Sequence, residues 1–282
     1  MDYSKSVYLS SLAYAVVTAL SIALIHIFTQ GSVPLLLLSA SALLAIIWFN
    51  GINYRRLAAL YTPSLRQLKF IIVVNIIIAI QWTATFYGAK FSVPFNFLLV
   101  AFTMPLIISN IVLIRRGKSH ILSLCFNLTL CGLVIYTMKN PIGVYCALAV
   151  GVLAYIYRKY TYIVMKKENY TRLDILCLRN YGLLAVSLGA YFIYHSQITM
   201  VWPSPYALIV IPLISFIIPI YLNQAGIKNA GAERHSAIAS LTPMLAIGIS
   251  LLLGVKDLTT SSLIIGAIAA LALIIQNLYW KE

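Results

Sequence analysis

The sequence predicts an all-α polytopic membrane protein, with ten transmembrane helices arranged as two inverted five-helix repeats. Three observations lead there. The chain is 62% hydrophobic and only 9% charged, with a mean hydropathy of +0.94, whereas a soluble domain carries about 25% charged residues. Ten apolar runs, most of them close to the ~20 residues that cross a bilayer, follow one another between short basic or Gly/Pro-rich breaks. The second half of the chain also echoes the first.

The runs read in order as 8–29, 33–50, 68–89, 93–114, 120–138, 141–157, 174–194, 204–224, 232–253 and 261–279. The first follows Lys5 and resembles the opening of a signal peptide. It lacks a small-x-small cleavage site and many spans follow it, so it is expected to stay as a helix. Asn50-Gly51 closes the second run, Arg115-Arg116-Gly117-Lys118 the fourth and Lys139-Asn140 the fifth. The stretch 157–172, rich in Tyr and basic residues, is expected to lie at the membrane surface as a helical extension and loop. Trp202-Pro203 precedes the eighth run, and Glu233, Arg234 and His235 open the ninth.

The echo appears on sliding the chain by 138 residues. Gly88, Lys90, Ala101, Pro105, Ile111, Leu113 and Lys118 then fall on Gly226, Lys228, Ala239, Pro243, Ile249, Leu251 and Lys256, which is 7 identities in the 31 positions from 88 to 118. The same shift carries the first five runs onto the last five, which divides the chain into 1–140 and 141–282. Five is odd, so the second half enters the bilayer from the other side and the repeats are inverted. With the amino terminus inside, fifteen basic residues fall in cytoplasmic segments and three (Lys90, Lys139 and Lys256) outside. The positive-inside rule therefore puts both termini in the cytoplasm, of a bacterial inner membrane on the reading below.

The net charge of +14 is accounted for by those loops and calls for no nucleic-acid partner. Cys125, Cys131, Cys146 and Cys177 fall in or near apolar runs with no CxxC pair, which predicts reduced, buried thiols and no metal site. No Walker loop, HExxH, His/Asp cluster, Ser/His/acid set or carboxylate pair is present, so no enzyme chemistry and no cofactor are expected.

Inverted repeats place a binding site between the halves near the midplane, so the polar residues within the runs are the candidates. A charge at a helix centre costs about 2.5–3.5 kcal/mol on insertion scales, so it faces a cavity or a partner. Glu233, Arg234 and His235 either lie at the interface or reach the cavity, where Glu233 or His235 could carry a coupling proton. Arg179, followed by Asn180 and Tyr181, either snorkels to the surface or meets a substrate carboxylate or phosphate. The third run is the most polar of the first half. Within it Asn75 and Trp82 share a helix face, as do Gln81 and Thr85, with Tyr87 beyond them. Its repeat mate, the eighth run, ends in Tyr221, Asn223 and Gln224. Each of these either bonds a neighbouring helix or binds substrate, and Trp82 and Tyr87 could stack on a flat or cationic ligand. Asn96 lies near a mouth, while Asn110 is expected to bond a neighbouring helix. Pro105 and Pro243, matched by the repeat, are expected to kink their helices, and Gly266 with Ala270 to serve helix contact.

The segments FNFLLVAFTMPLIISNIVLIRRGKS (95–119) and SAIASLTPMLAIGISLLLGVKDLT (236–259), set in this layout, resemble the repeated signature of the drug/metabolite transporter superfamily and its bacterial EamA-type members. That signature is a helix with a central proline running into a short charged turn. One departure stands out. The family's Gly-Glu at the turn is replaced by Arg116-Gly117 and by Gly254-Val255-Lys256, so no role tied to that glutamate carries over. The resemblance implies secondary transport, often export, of a small metabolite. It also implies a cavity lined mainly by spans three, four, eight and nine.

Sequence and resemblance together predict an exporter of a small polar metabolite such as an amino acid, working by alternating access. Arg179 or Arg234 would meet the carboxylate, Glu233 or aromatic faces the amine, and Trp82 and Tyr87 the side chain. The expected partners are the substrate, the lipid bilayer and a coupling ion such as a proton, with the protein a monomer or homodimer. Two alternatives remain open. One is an exporter of organic cations or drugs. The other is a lipid flippase whose basic segment 157–172 binds anionic head groups.

Overall fold

The computed structural model describes residues 3–30, 34–62, 64–117, 120–167, 170–194, 203–255 and 258–279. It is all helical, with no strand among the described residues. The first half holds α1 (Tyr3–Thr29), α2 (Pro34–Ile52), a 3-10 turn (Tyr54–Arg56) with the short α3 (Leu57–Leu60), α4 (Leu65–Phe91), α5 (Pro94–Arg115) and α6 (Ile121–Thr137). The second holds α7 (Pro141–Lys167), α8 (Arg172–Leu178), α9 (Tyr181–Tyr194), α10 (Pro205–Val210), a π-helical segment (Ile211–Ile217), α11 (Ile218–Ala230), α12 (Ala232–Ala239), α13 (Thr242–Leu252) and α14 (Thr260–Tyr279).

The sequence sets these boundaries by ordinary means. Proline opens α2, α5, α7 and α10, where its missing N–H is not needed. Capping boxes start α4 (Ser64 with Gln67) and α8 (Thr171 with Asp174). Gly231, at φ 81°, turns the chain between α11 and α12, a left-handed conformation that only glycine adopts freely.

Seven helices among the described residues are long and apolar enough to cross a membrane, counting the broken segment Arg172–Tyr194 and the continuous rod Pro205–Ala230 as one each. The fifth, ninth and tenth apolar runs hold the shorter apolar helices Ile121–Thr137, Thr242–Leu252 and Leu263–Leu273. The surface is inside-out relative to a soluble protein. Leu252 is 87% exposed and Leu122 74%, whereas Asn127, Asn180 and Ser250 are fully buried. Apolar side chains outward and hydrogen-bonding groups inward is the arrangement a hydrocarbon solvent requires. These observations describe a multi-pass membrane protein.

Three expectations are corrected. The seventh run is not one helix: it breaks at Arg179-Asn180 between α8 and α9. The ninth breaks at Ser240-Leu241, so Pro243 lies in the first turn of α13, whereas Pro105 stays inside an unbroken α5. The helical extension expected after the sixth run is there, as α7 continues to Lys167, but its first residues Tyr157 and Arg158 lie in the interior and not at the membrane surface. Arg158 therefore does not belong with the loop charges.

The helices pack in a recurring pattern. α4 lies on α7 and α11 on α1; α5 lies on α7 and α13 on α1; α4 touches α9 and the π-segment touches α2. α2 meets α9, α5 meets α13 and α6 meets α14. α1, α4, α5, α7 and α11 surround the centre of the molecule.

Candidate functional site

A cavity lies where these five helices meet. α1 contributes Tyr14, Thr18, Ser21 and Ile22, and α4 contributes Gln81, Trp82 and Thr85. α5 adds Phe97, Leu98, Ala101 and Phe102, and α7 adds Val150, Ala154, Tyr157 and Arg158. Pro219, Ile220 and Asn223 come from α11, and Arg179 from the α8–α9 break. Most of these positions lie near the middle of long helices, far from either end. The volume is about 70 Å³. That is room for a few waters, far below the ~300–1,000 Å³ of ordinary ligand clefts. The walls are close together in this conformation.

The break that supplies Arg179 is built by a residue on another helix. Asn75 of α4 donates from Nδ2 to the carbonyl of Leu178 (2.7 Å) and accepts at Oδ1 from the N–H of Gly182 (2.7 Å). One side-chain amide thereby satisfies a carbonyl and an N–H freed by the interruption. Glycine is needed at 182, because a Cβ there would press on the Asn75 backbone.

Arg179 is 2% exposed. Its Nη1 donates to the Tyr157 hydroxyl (2.5 Å), and the guanidinium sits 4.7 Å from the centre of the Tyr157 ring. The Gln224 amide donates to the same hydroxyl from behind. Arg179 Nε has no hydrogen-bond partner, and neither have Thr18 Oγ1, Gln81 Oε1 and Trp82 Nε1. Arg158, 5% exposed, donates to Ser236 Oγ (2.9 Å) and lies over the Phe102 ring. Trp82 packs against Phe216 with ring centres 4.3 Å apart. The lining therefore combines two guanidiniums, several unsatisfied polar groups and an aromatic wall.

The predicted site residues divide accordingly. Gln81, Trp82, Thr85, Arg179 and Asn223 line the cavity. Gln224 stands one layer behind. Tyr87 stacks on Phe91, and Asn96 donates to Thr137, both outside the lining. Tyr181 is elsewhere, in an exposed cluster where its hydroxyl meets those of Tyr61 (2.5 Å) and the Asn50 amide. Burial and the Tyr181 hydroxyl push the Tyr61 phenol well above its usual range. Beside it, the buried Asp174 pairs with Arg56 (3.1 Å) and accepts from Asn53 (2.9 Å). Arg234 is exposed. The Glu233 side chain lies outside the described residues.

His235 is fully buried but does not line the cavity. Its Nε2 meets Asn223 Oδ1 (2.8 Å) and its Nδ1 meets Ser11 Oγ (3.0 Å). With Nε2–H donating and Nδ1 accepting, the neutral ring satisfies both contacts.

Tyr14, Thr18 and Ser21 of α1 and Tyr157 and Arg158 of α7 are polar cavity residues that the apolar runs did not reveal. The repeat carries a signal for Tyr157 and Arg158. Shifting by 138 sets them against Ala19 and Leu20, in the middle of the first run and not at a membrane surface.

No protein-family model and no curated protein matches the chain. Nineteen chains of solved structures do. One of these is a crystal structure of a protein 16% identical to this chain, with a TM-score of 0.63 over 98% of this chain and 96% of its own. At that identity the likeness establishes a shared fold and says nothing of activity.

Proposed function

We propose that the chain is a ten-span secondary transporter, made of two inverted five-helix halves with both termini cytoplasmic, that exports a small polar metabolite such as an amino acid by alternating access. The observation that carries this reading is Arg179. A guanidinium buried at a helix break within an apolar run, with one nitrogen unsatisfied and in the lining of a cavity, marks a substrate path.

The repeat is supported by element bounds and by packing. Adding 138 to α1 (3–29) gives 141–167, the bounds of α7, and adding it to α5 (94–115) gives 232–253, which α12 and α13 cover to 252. The same offset takes the cavity residues Gln81, Trp82 and Thr85 to Pro219, Ile220 and Asn223, which also line the cavity. It pairs the α4–α7 packing with α11–α1, and α5–α7 with α13–α1. A cavity bounded by equivalent helices of two halves is the place where rocking one half on the other exposes first one side and then the other. The breaks at Arg179-Asn180 and Ser240-Leu241 and the π-segment supply places where such a motion can bend.

The substrate's carboxylate would meet Arg179 Nε and the Trp82 indole N–H, and its side chain the Phe97 and Phe102 rings. The two guanidiniums oppose the organic-cation alternative. The flippase alternative loses Tyr157 and Arg158 from its basic segment, since both face inward. Counterflow into proteoliposomes loaded with an amino-acid mixture that includes aspartate and glutamate tests the reading. Labelled solute is expected to accumulate with the native chain, and Arg179→Gln is expected to lower the rate about 10–100-fold, as loss of a charge-assisted hydrogen bond would. Equal counterflow by the two proteins would remove Arg179 from the path.

A further inference from the structure

We propose that the cavity takes a substrate that is a net anion, a small organic acid held by both Arg158 and Arg179. This rests on the transporter reading and narrows its substrate. Two guanidiniums, 5% and 2% exposed, line one cavity from different helices. Their partners do not neutralise them. Arg158 has a serine hydroxyl and a phenyl ring, and Arg179 has a phenol and its ring. Among the described residues no carboxylate lines the cavity.

Of the four unsatisfied groups in the lining, two are pure donors. Arg179 Nε and Trp82 Nε1 can only donate, the Thr18 hydroxyl can do either, and Gln81 Oε1 is the acceptor among the four. A donor-rich lining complements an oxyanion. An ammonium group would meet two like charges and one unoccupied amide oxygen. A dicarboxylate balances both guanidiniums, a monocarboxylate balances one, and a zwitterion brings a cation into their field. Trp82, Phe97 and Phe102 leave an apolar wall for the carbon skeleton.

The test compares four small probes on the purified full-length protein at one ionic strength, read as thermal shift and as affinity. The probes are succinate, propionate, alanine and choline. Succinate is expected to raise the Tm most, propionate less, and alanine and choline not at all. Arg158→Gln is expected to weaken succinate binding by about tenfold, with Arg158→Lys restoring part of it. Should Arg158→Gln fail to fold, the order of the four probes on the native chain decides. A shift from alanine or choline equal to that from succinate, or no shift from any probe, overturns the proposal. So does succinate binding unchanged in a folded Arg158→Gln protein. None of these results bears on whether the cavity opens to both sides of the membrane, which accessibility labelling measures separately.

Discussion

Arg179 and His235 are both candidate ionisable site residues in the sequence, and the fold treats them differently. Arg179 keeps a nitrogen unsatisfied and faces the cavity; His235 has both ring nitrogens engaged and stands behind it. The repeat explains the histidine. Position 235 corresponds to 97, and a Cβ on Gly226 would clash with the His235 ring, just as one on Gly88 would clash with Phe97. An aromatic ring against a glycine is the common element, and His235 is its polar version. His235→Phe is therefore expected to retain the fold, while His235→Ala opens a gap costing about 2–5 kcal/mol, as large-to-small core changes do; denaturant unfolding of the two variants compares them. If His235 carried the coupling proton, His235→Phe would also abolish the pH dependence of flux, and here that profile is expected to survive. Gly226→Ala is expected to cost about 1–3 kcal/mol by overpacking against the ring, and pairing it with His235→Ala should recover part of that loss.

At the scale of elements, the instructive feature is the broken helix α8–α9. Nothing in the run 174–194 announces an interruption, because the interruption is imposed from α4 by Asn75. A hydrogen bond between residues 103 positions apart cannot be read from local periodicity. The same holds for the path of α7, whose Tyr157 and Arg158 look like interfacial residues until α4 and α5 pack over them. Apolar runs, proline starts and capping boxes were legible because each depends on neighbours in sequence; breaks and depth were not, because each depends on another helix. Asn75→Ala is expected to leave the Leu178 carbonyl and the Gly182 N–H without partners, at about 1–3 kcal/mol for each group. Asn75→Asp, which keeps the acceptor, should lose less than Asn75→Ala in the same unfolding measurement. On the other side of the break, Asp174 holds Arg56 and Asn53 and also caps α8. Asp174→Ala is therefore expected to destabilise more than Arg56→Ala, by at least the ~1 kcal/mol of a lost cap.

For the whole molecule, the sequence carried the class and the echo, and the fold adds where the echo converges. Of the residues that repeat most visibly, Gly88 and Gly226 serve packing, Pro243 follows a helix break and Pro105 lies within an unbroken helix. The residues that give the cavity its charge, Arg158 and Arg179, have no charged counterpart at the shifted positions 20 and 41, which hold Leu20 and Ser41. Symmetry in the frame and asymmetry in the site would suit the carrier proposed above. The claim that matters most is that this one cavity is reached from either side of the membrane. Its direct test is a single cysteine at Thr18, in a chain whose Cys125, Cys131, Cys146 and Cys177 are replaced by alanine, treated with a membrane-impermeant methanethiosulfonate in right-side-out and inside-out vesicles. The account predicts labelling in both preparations, and labelling in only one orientation, or in neither, would contradict it.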